Sequence, residues 1–191
     1  MTIIYFIRHA QPDFSDRDEE IRPLTQKGIE DSKSIPSIFR NIQIDSIISS
    51  PYTRCVQTLT PIAEDKNIRI ELRNDLRERK IGIWFEKIEQ FIEFAGNQWK
   101  DFDHKTDKGE SLKEVKERNV NEIMKIIGEM KDKTILIGTH GTALCTIMNS
   151  FNSKYGFEYF LRIGKKMPYI VKVKFEDKKV IRIDEIEIKR E

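Results

Sequence analysis

The sequence predicts an α/β fold of three layers, in which a mostly parallel sheet lies between helices and a small helical insertion caps one end. Three observations predict it. Two short, continuous apolar runs, Ile3 to Ile7 and Thr134 to Gly138, suit strands buried on both faces. Stretches with helical apolar spacing separate them. The tail from Val171 onward alternates apolar and charged residues, the pattern of an antiparallel edge.

The elements can be justified in chain order. A polar loop runs from Gln11 to about Pro23. Thr25 suits the N-cap of a helix toward Arg40, which Pro36 should kink or shorten. Ile44 to Ile48 reads as a second strand. Ser49-Ser50-Pro51 opens a helix with Ser50 as its cap, and Pro61 should bend or end it. Ile68 to Leu72 alternates as a third strand. After Gly82, the residues Trp84, Ile88, Phe91, Ile92, Ala95 and Trp99 mark one helical face. Ser111 and Glu114 form a capping box for a helix striped by Val115, Ile123, Ile126 and Met130. The strand from Thr134 leads through Thr139-His140-Gly141-Thr142 into a short helix. In the tail, Asp177-Lys178-Lys179 turns the chain. Ile186 and Ile188 fall out of step with Ile181 and Ile183, which indicates a bulge or an edge. No repeat or linker divides the chain, so residues 1–191 are expected to form one domain, with a cap insertion at about 82–108.

Composition narrows the function classes. Of 191 residues, 34 are basic and 32 acidic, a net charge of +2 that leaves no electrostatic footprint for nucleic acid. Cys55 and Cys145 sit in no CxxC pair or ligand cluster and read as buried thiols. The N-terminus has no signal-peptide pattern, and no apolar run is long enough to span a bilayer. The expected location is the cytoplasm, with no membrane partner; a homodimer is left open.

Chemistry concentrates in few residues. Two of the three histidines, His9 and His140, directly follow buried strands. Ligands in open parallel sheets bind outside the carboxyl ends of strands, so one rim can hold both. Arg8 precedes His9, and Arg54 stands in the first turn of a helix, whose free N–H groups and dipole suit phosphate. Either histidine or arginine alone reads more simply as a hydrogen-bonded or salt-bridged residue; the combination points to phosphate chemistry.

Five blocks carry a resemblance. Ile7-Arg8-His9-Ala10-Gln11, Ser49-Ser50-Pro51-Tyr52-Thr53-Arg54, Leu76-Arg77-Glu78 with Gly82-Ile83-Trp84, Gly109-Glu110-Ser111 and Thr139-His140-Gly141 occur in that order. Together the sequence resembles the histidine phosphatase superfamily, whose fold is phosphoglycerate mutase-like. The resemblance implies a phosphomonoester hydrolase without metal or other cofactor, acting on a small-molecule phosphate ester. It implies His9 as the nucleophile that becomes phosphohistidine and Glu78 as proton donor to the leaving oxygen. Arg8, Arg54 and His140 are implied as the phosphoryl pocket. Such roles are chemically coherent: phosphoryl transfer needs positioning and neutralised equatorial oxygens, and an alkoxide leaving group needs a proton.

The sequence departs from that pattern in places. Ala10 replaces the usual glycine, Ser15 stands where the family often has a phosphate-binding asparagine and is the fourth phosphate-binding candidate, since a hydroxyl can still donate to phosphate, and Trp84-Phe85-Glu86 replaces Trp-Glu-Gly. Glu71 and Glu86 read as surface carboxylates, and His104 as exposed. Lys165-Lys166 reads as solvated, with a distal anion contact as the lesser reading. The rivals are a phosphoglycerate mutase and a phosphate-binding domain without turnover; the substrate itself stays open.

Overall fold

The computed structural model describes residues 1–188. Its centre is one six-stranded sheet, built from β1 (Thr2–Arg8), β2 (Ser46–Ser49), β3 (Ile70–Leu72), β4 (Thr134–Thr139), β5 (Tyr169–Glu176) and β6 (Lys179–Ile186). The strand order is β3-β2-β4-β1-β5-β6. The first four run parallel, and β5 and β6 add an antiparallel edge. The alternating tail is thus the hairpin its period implies.

The continuous apolar runs have a simple cause, because β1 and β4 are covered on both faces. Ile4, Phe6, Ile135 and Ile137 point into one core, with Ile123, Ile126, Leu144 and Ile147. Tyr5, Ile7 and Leu136 point into the other, with Ile35, Phe39, Leu59 and Ile62. Helices α2 (Ile35–Ile38) and α3 (Thr53–Lys66) supply the second core, with α1 (Gln26–Lys33) packed against α3. Helices α5 (Leu112–Glu129), α6 (Gly141–Phe151) and α7 (Phe157–Gly164) supply the first. The expected insertion carries α4 (Ile88–Lys100), whose Phe91 and Trp99 pack against the first core.

Local signals hold in detail. The Thr25 side chain accepts from the Gly28 N–H, and Ser111 with Glu114 forms the full capping box. Gly82 adopts φ +81°, and a Cβ there would stand 2.7 Å from the Lys108 carbonyl carbon, so the two ends of the insertion meet at a glycine.

Four readings need correction. Tyr52, not Ser50, occupies the N-cap position of the helix after β2 and makes no side-chain cap bond; the Ser50 hydroxyl is bonded to His140 and accepts from the Tyr52 N–H at 3.3 Å. Pro61 does not end α3; it and Gln57, whose carbonyl loses its bond, lie on the half-buried side of the helix, away from Leu59 and Ile62. The register irregularity of the edge lies at Lys174/Phe175 opposite the start of β6, not near Ile186. Helix α7 has no counterpart in the sequence reading, although Phe157, Phe160, Leu161 and Ile163 carry its spacing. Among the described residues, no helix is long and apolar enough to cross a membrane.

Candidate active site

The parallel register of β1 and β4 decides where the two histidines meet. Arg8 lies opposite Thr139, so His9 and His140 leave neighbouring strands at the same carboxyl end. The His9 N–H donates to the Thr139 carbonyl at 3.1 Å. The two rings stand edge to face with centroids 5.3 Å apart, and both are buried.

The hydrogen bonds fix the tautomer of His9. A carbonyl can only accept, so the 2.7 Å contact to the Ala10 oxygen is a donation from Nδ1–H. Nε2 therefore carries the lone pair, and Arg54 Nε–H donates to it at 3.3 Å. Burial, reinforced by the charges of Arg54 and Arg8, holds His9 well below the usual imidazole range. It is neutral near neutral pH, as a nucleophile must be. His140 is lowered likewise, first by burial and then by Arg54 and His9. Its Nε2 lies 2.7 Å from Ser50 Oγ and 3.4 Å from Cys55 Sγ. Burial pushes Cys55 up to about 12, so it stays a thiol and donates to the Thr139 carbonyl at 3.2 Å.

Two arginines flank this pair. Arg54 lies in the first turn of α3, directly beyond β2, and is tied to the Glu19 carbonyl through Nη1. Arg8 donates through Nη1 to the carbonyls of Ile163 and, at 3.2 Å, Lys166. Its Nε is buried with no partner. Gly141 makes room for this guanidinium, since a Cβ there would stand 3.3 Å from Arg8 Nη2. Buried guanidiniums with donors to spare, beside the N-terminus of α6, form a floor suited to an oxyanion.

Glu78 follows a 3-10 turn (Asn74–Leu76) and reaches that same N-terminus. Its oxygens accept from the N–H groups of Thr142 at 2.9 Å, Ala143 at 3.0 Å and Arg79 at 2.8 Å. Two of these bonds fall on Oε1 and one on Oε2, which leaves one lone-pair site on Oε2 open. Arg8, His9, Arg54 and Glu78 all line one cavity of about 750 Å³. The insertion contributes Trp84, Ile88 and Phe91 to its walls, and the far side is Phe160, Ile163 and Met167.

Ser15 is not brought into this cavity. Its hydroxyl and N–H both donate to Asp13 Oδ1, at 2.7 and 2.9 Å, in a tight turn on the exposed loop. Glu71 and Glu86 are surface residues paired with Arg73 and Arg17. His104 is partly buried against the Phe94 ring rather than exposed, because the insertion folds back on itself. Lys165 lines the cavity. Four charged cavity residues were not anticipated: Glu19, Arg22, Arg79 and Lys87. Arg22 is 3% exposed, donates to the Asp16 carbonyl at 2.6 Å and lies between the rings of Phe14 and Trp84. Nothing in the acidic loop around Glu19 and Arg22 signals this. Arg79 is signalled only by standing next to Glu78.

Known proteins share this architecture. A structure of YhfR from Bacillus stearothermophilus is similar over 95% of each chain, with TM-score 0.77 at 21% identity. A phosphoserine phosphatase from Entamoeba histolytica in complex with 3-phosphoglyceric acid has TM-score 0.78 at 18% identity, covering 95% of this chain and 94% of that one. A phosphoglycerate mutase from Bacillus anthracis also has TM-score 0.78, at 19% identity, covering 97% and 92%. No curated protein matches the sequence. The family model described as histidine phosphatase superfamily (branch 1) matches residues 4–186, the span that runs from β1 through the last strand. With the paired histidines and their arginines at the end of that sheet, the chain belongs to the histidine phosphatase superfamily, branch 1.

Proposed function

We propose that this protein hydrolyses phosphomonoesters through a phosphohistidine on His9, with Glu78 as proton donor. The observation that carries the reading is the His9 tautomer. Nδ1–H is held by the Ala10 carbonyl, and Nε2 stands beside Arg54 in a cavity that Arg8 also lines, while the fully buried His140 packs edge to face against the His9 ring from behind the cavity wall. In the first step Nε2 bonds to phosphorus, the ester P–O bond breaks, and the departing oxygen takes a proton from Glu78. In the second step water attacks phosphorus, the P–N bond breaks, and the Glu78 carboxylate receives the water proton. Arg8 and Arg54 neutralise the equatorial oxygens throughout.

Residues 1–191 are read as one domain, with about 82–108 as a cap over the cavity. A cytoplasmic site of action fits the two free thiols, Cys55 and Cys145. A mutase is the second reading, supported by the likeness to the Bacillus anthracis structure. It would have to keep water from the phosphoenzyme, whereas the short span between Gly82 and Gly109 carries a single helix, α4. Incubation with 3-phosphoglycerate tests the choice. Release of inorganic phosphate without a bisphosphoglycerate primer supports the phosphatase; primer-dependent conversion to 2-phosphoglycerate with little free phosphate overturns it.

A further inference from the structure

The ion pair of Glu110 and Arg118 is a charged cluster that the proposed reaction leaves unused. Glu110 stands in the Gly109-Glu110-Ser111 block, just past the insertion, and Arg118 lies on α5. Neither residue lines the cavity. The pair is bidentate: Arg118 Nε donates to Glu110 Oε1 at 2.8 Å, and Nη2 donates to Oε2 at 2.9 Å. Both side chains are mostly buried, at 12% and 17% exposure. Burial by itself would raise the Glu110 carboxyl, but the Arg118 bond and the Lys80 N–H hold it below the usual carboxylate range, so the pair is ionised.

A guanidinium has five N–H donors, and a bidentate ion pair uses two of them. Arg118 spends the other three on one short stretch of backbone. Nη1 donates to the carbonyls of Asp75 at 3.0 Å and Arg77 at 2.8 Å, and Nη2 donates to the carbonyl of Glu78 at 3.0 Å. Glu110 bonds the same stretch. It accepts from the Lys80 N–H at 2.9 Å and from Arg77 Nη2 at 3.1 Å, and its own N–H donates to the Lys80 carbonyl at 2.7 Å. Residues 77–80 form no helix or strand, so these bonds take the place of a backbone ladder.

That stretch carries Glu78, whose carboxylate reaches the N-terminus of α6 and lines the cavity. Proton transfer needs the acid within hydrogen-bond reach of the leaving oxygen, and a misplacement of about 1 Å can cost about 10²-fold. With all five donors taken, Arg118 has none left for a substrate. What it fixes is the backbone from which Glu78 extends.

We propose that the Glu110–Arg118 pair is a positioning device for the general acid, holding the Glu78 backbone where its carboxyl meets the leaving oxygen. This rests on the phosphatase reading. The test measures kcat and KM for glycerol phosphate, which needs the proton, against 4-nitrophenyl phosphate, which does not. Arg118→Lys keeps the charge, but one ammonium cannot span three carbonyls and Glu110. It is expected to lower kcat for glycerol phosphate by roughly 10- to 100-fold and for nitrophenyl phosphate by less than about threefold. Neither KM should change much, because Arg8 and Arg54 are untouched. Added to Glu78→Gln, Arg118→Lys should not change the ratio of the two esters further, since both variants act through one proton. Arg73→Met is the control. It removes ion pairs to Glu122 and Glu129 on α5 from the start of the same segment, and it should leave the ratio unchanged. Parallel slowing of both esters in Arg118→Lys, a further change of ratio in the double variant, or an equal change in Arg73→Met overturns the proposal. If Arg118→Lys does not fold, Glu110→Gln, which keeps an acceptor for the Lys80 N–H, is read the same way. An unaltered protein that hydrolyses neither ester removes the phosphatase reading and this role together. One that hydrolyses both, with parallel losses in the variants, removes the role alone.

Discussion

Glu78→Gln separates two jobs that one side chain is asked to do. The carboxylate caps the N-terminus of α6 through the N–H groups of Thr142 and Ala143, and it also accepts from the Arg79 N–H. Replacing it with a neutral amide removes a negative charge from a helix N-terminus, in a partly buried setting worth about 1–2 kcal/mol. For a chain of this size that is a fall in melting temperature of roughly 2–8 °C. The kinetic loss has a different signature. Proton donation contributes about 10²–10⁴-fold for an alkyl ester, whose alkoxide cannot leave unprotonated. A nitrophenyl ester needs no proton and should lose less than about tenfold. Calorimetric unfolding and kcat/KM for glycerol phosphate against 4-nitrophenyl phosphate read the two effects independently. Equal slowing of both esters would refute proton donation and leave Glu78 as a helix cap alone. An unchanged melting temperature would refute the capping argument.

Other consequences follow from the same geometry. His9→Ala should lower turnover by roughly 10⁴-fold or more, and labelled substrate should leave one acid-labile, base-stable phosphate on His9 in the unaltered protein; label on His140, or on no histidine, would sink the assignment. Because burial, Arg54 and Arg8 depress His9 in the folded state, the acid limb of kcat/KM should lie well below the free imidazole value of about 6.5, and a limb at or above that value would contradict it. For stability the sign is the same: below about 6.5 the unfolded chain binds protons that folded His9 and His140 refuse, so stability should fall with pH by about 1.4 kcal/mol per unit for each, and His9→Ala should flatten that slope in urea titrations. Arg54→Lys keeps the charge but loses the planar fork, so vanadate should bind more weakly by roughly tenfold, which inhibition constants check. A Cβ on Gly138 would stand 2.7 Å from both Leu59 Cδ1 and Ser49 Oγ, so Gly138→Ala should cost about 1–3 kcal/mol by overpacking, measured by denaturant unfolding.

Much of the fold was legible because its signals are local. Ile3 to Ile7 is apolar at every position since β1 is covered on both faces. Thr25 and the pair Ser111 and Glu114 announce helix starts through hydrogen bonds that span three residues. Where a long-range partner intervened, the local signal misled. Ser50 looks like a cap, yet its hydroxyl belongs to His140, ninety residues away. Ser15 sits at the right offset from His9, yet Asp13 takes both its donors.

The sequence by itself determined the layered α/β class, the strand ends that carry His9 and His140, and the blocks that identify the superfamily. Each depends on residues close in the chain, or on their order along it. Tertiary structure alone decided that Arg8 opposite Thr139 sets the two imidazoles 5.3 Å apart. It also decided that the Ala10 carbonyl selects the His9 tautomer, and that Glu78 rests on the N-terminus of α6. It alone shows all five donors of Arg118 taken by Glu110 and by the backbone that carries Glu78. A strand register and the hydrogen bonds of a buried ion pair are relations between distant segments, and they come into existence only when the chain is packed.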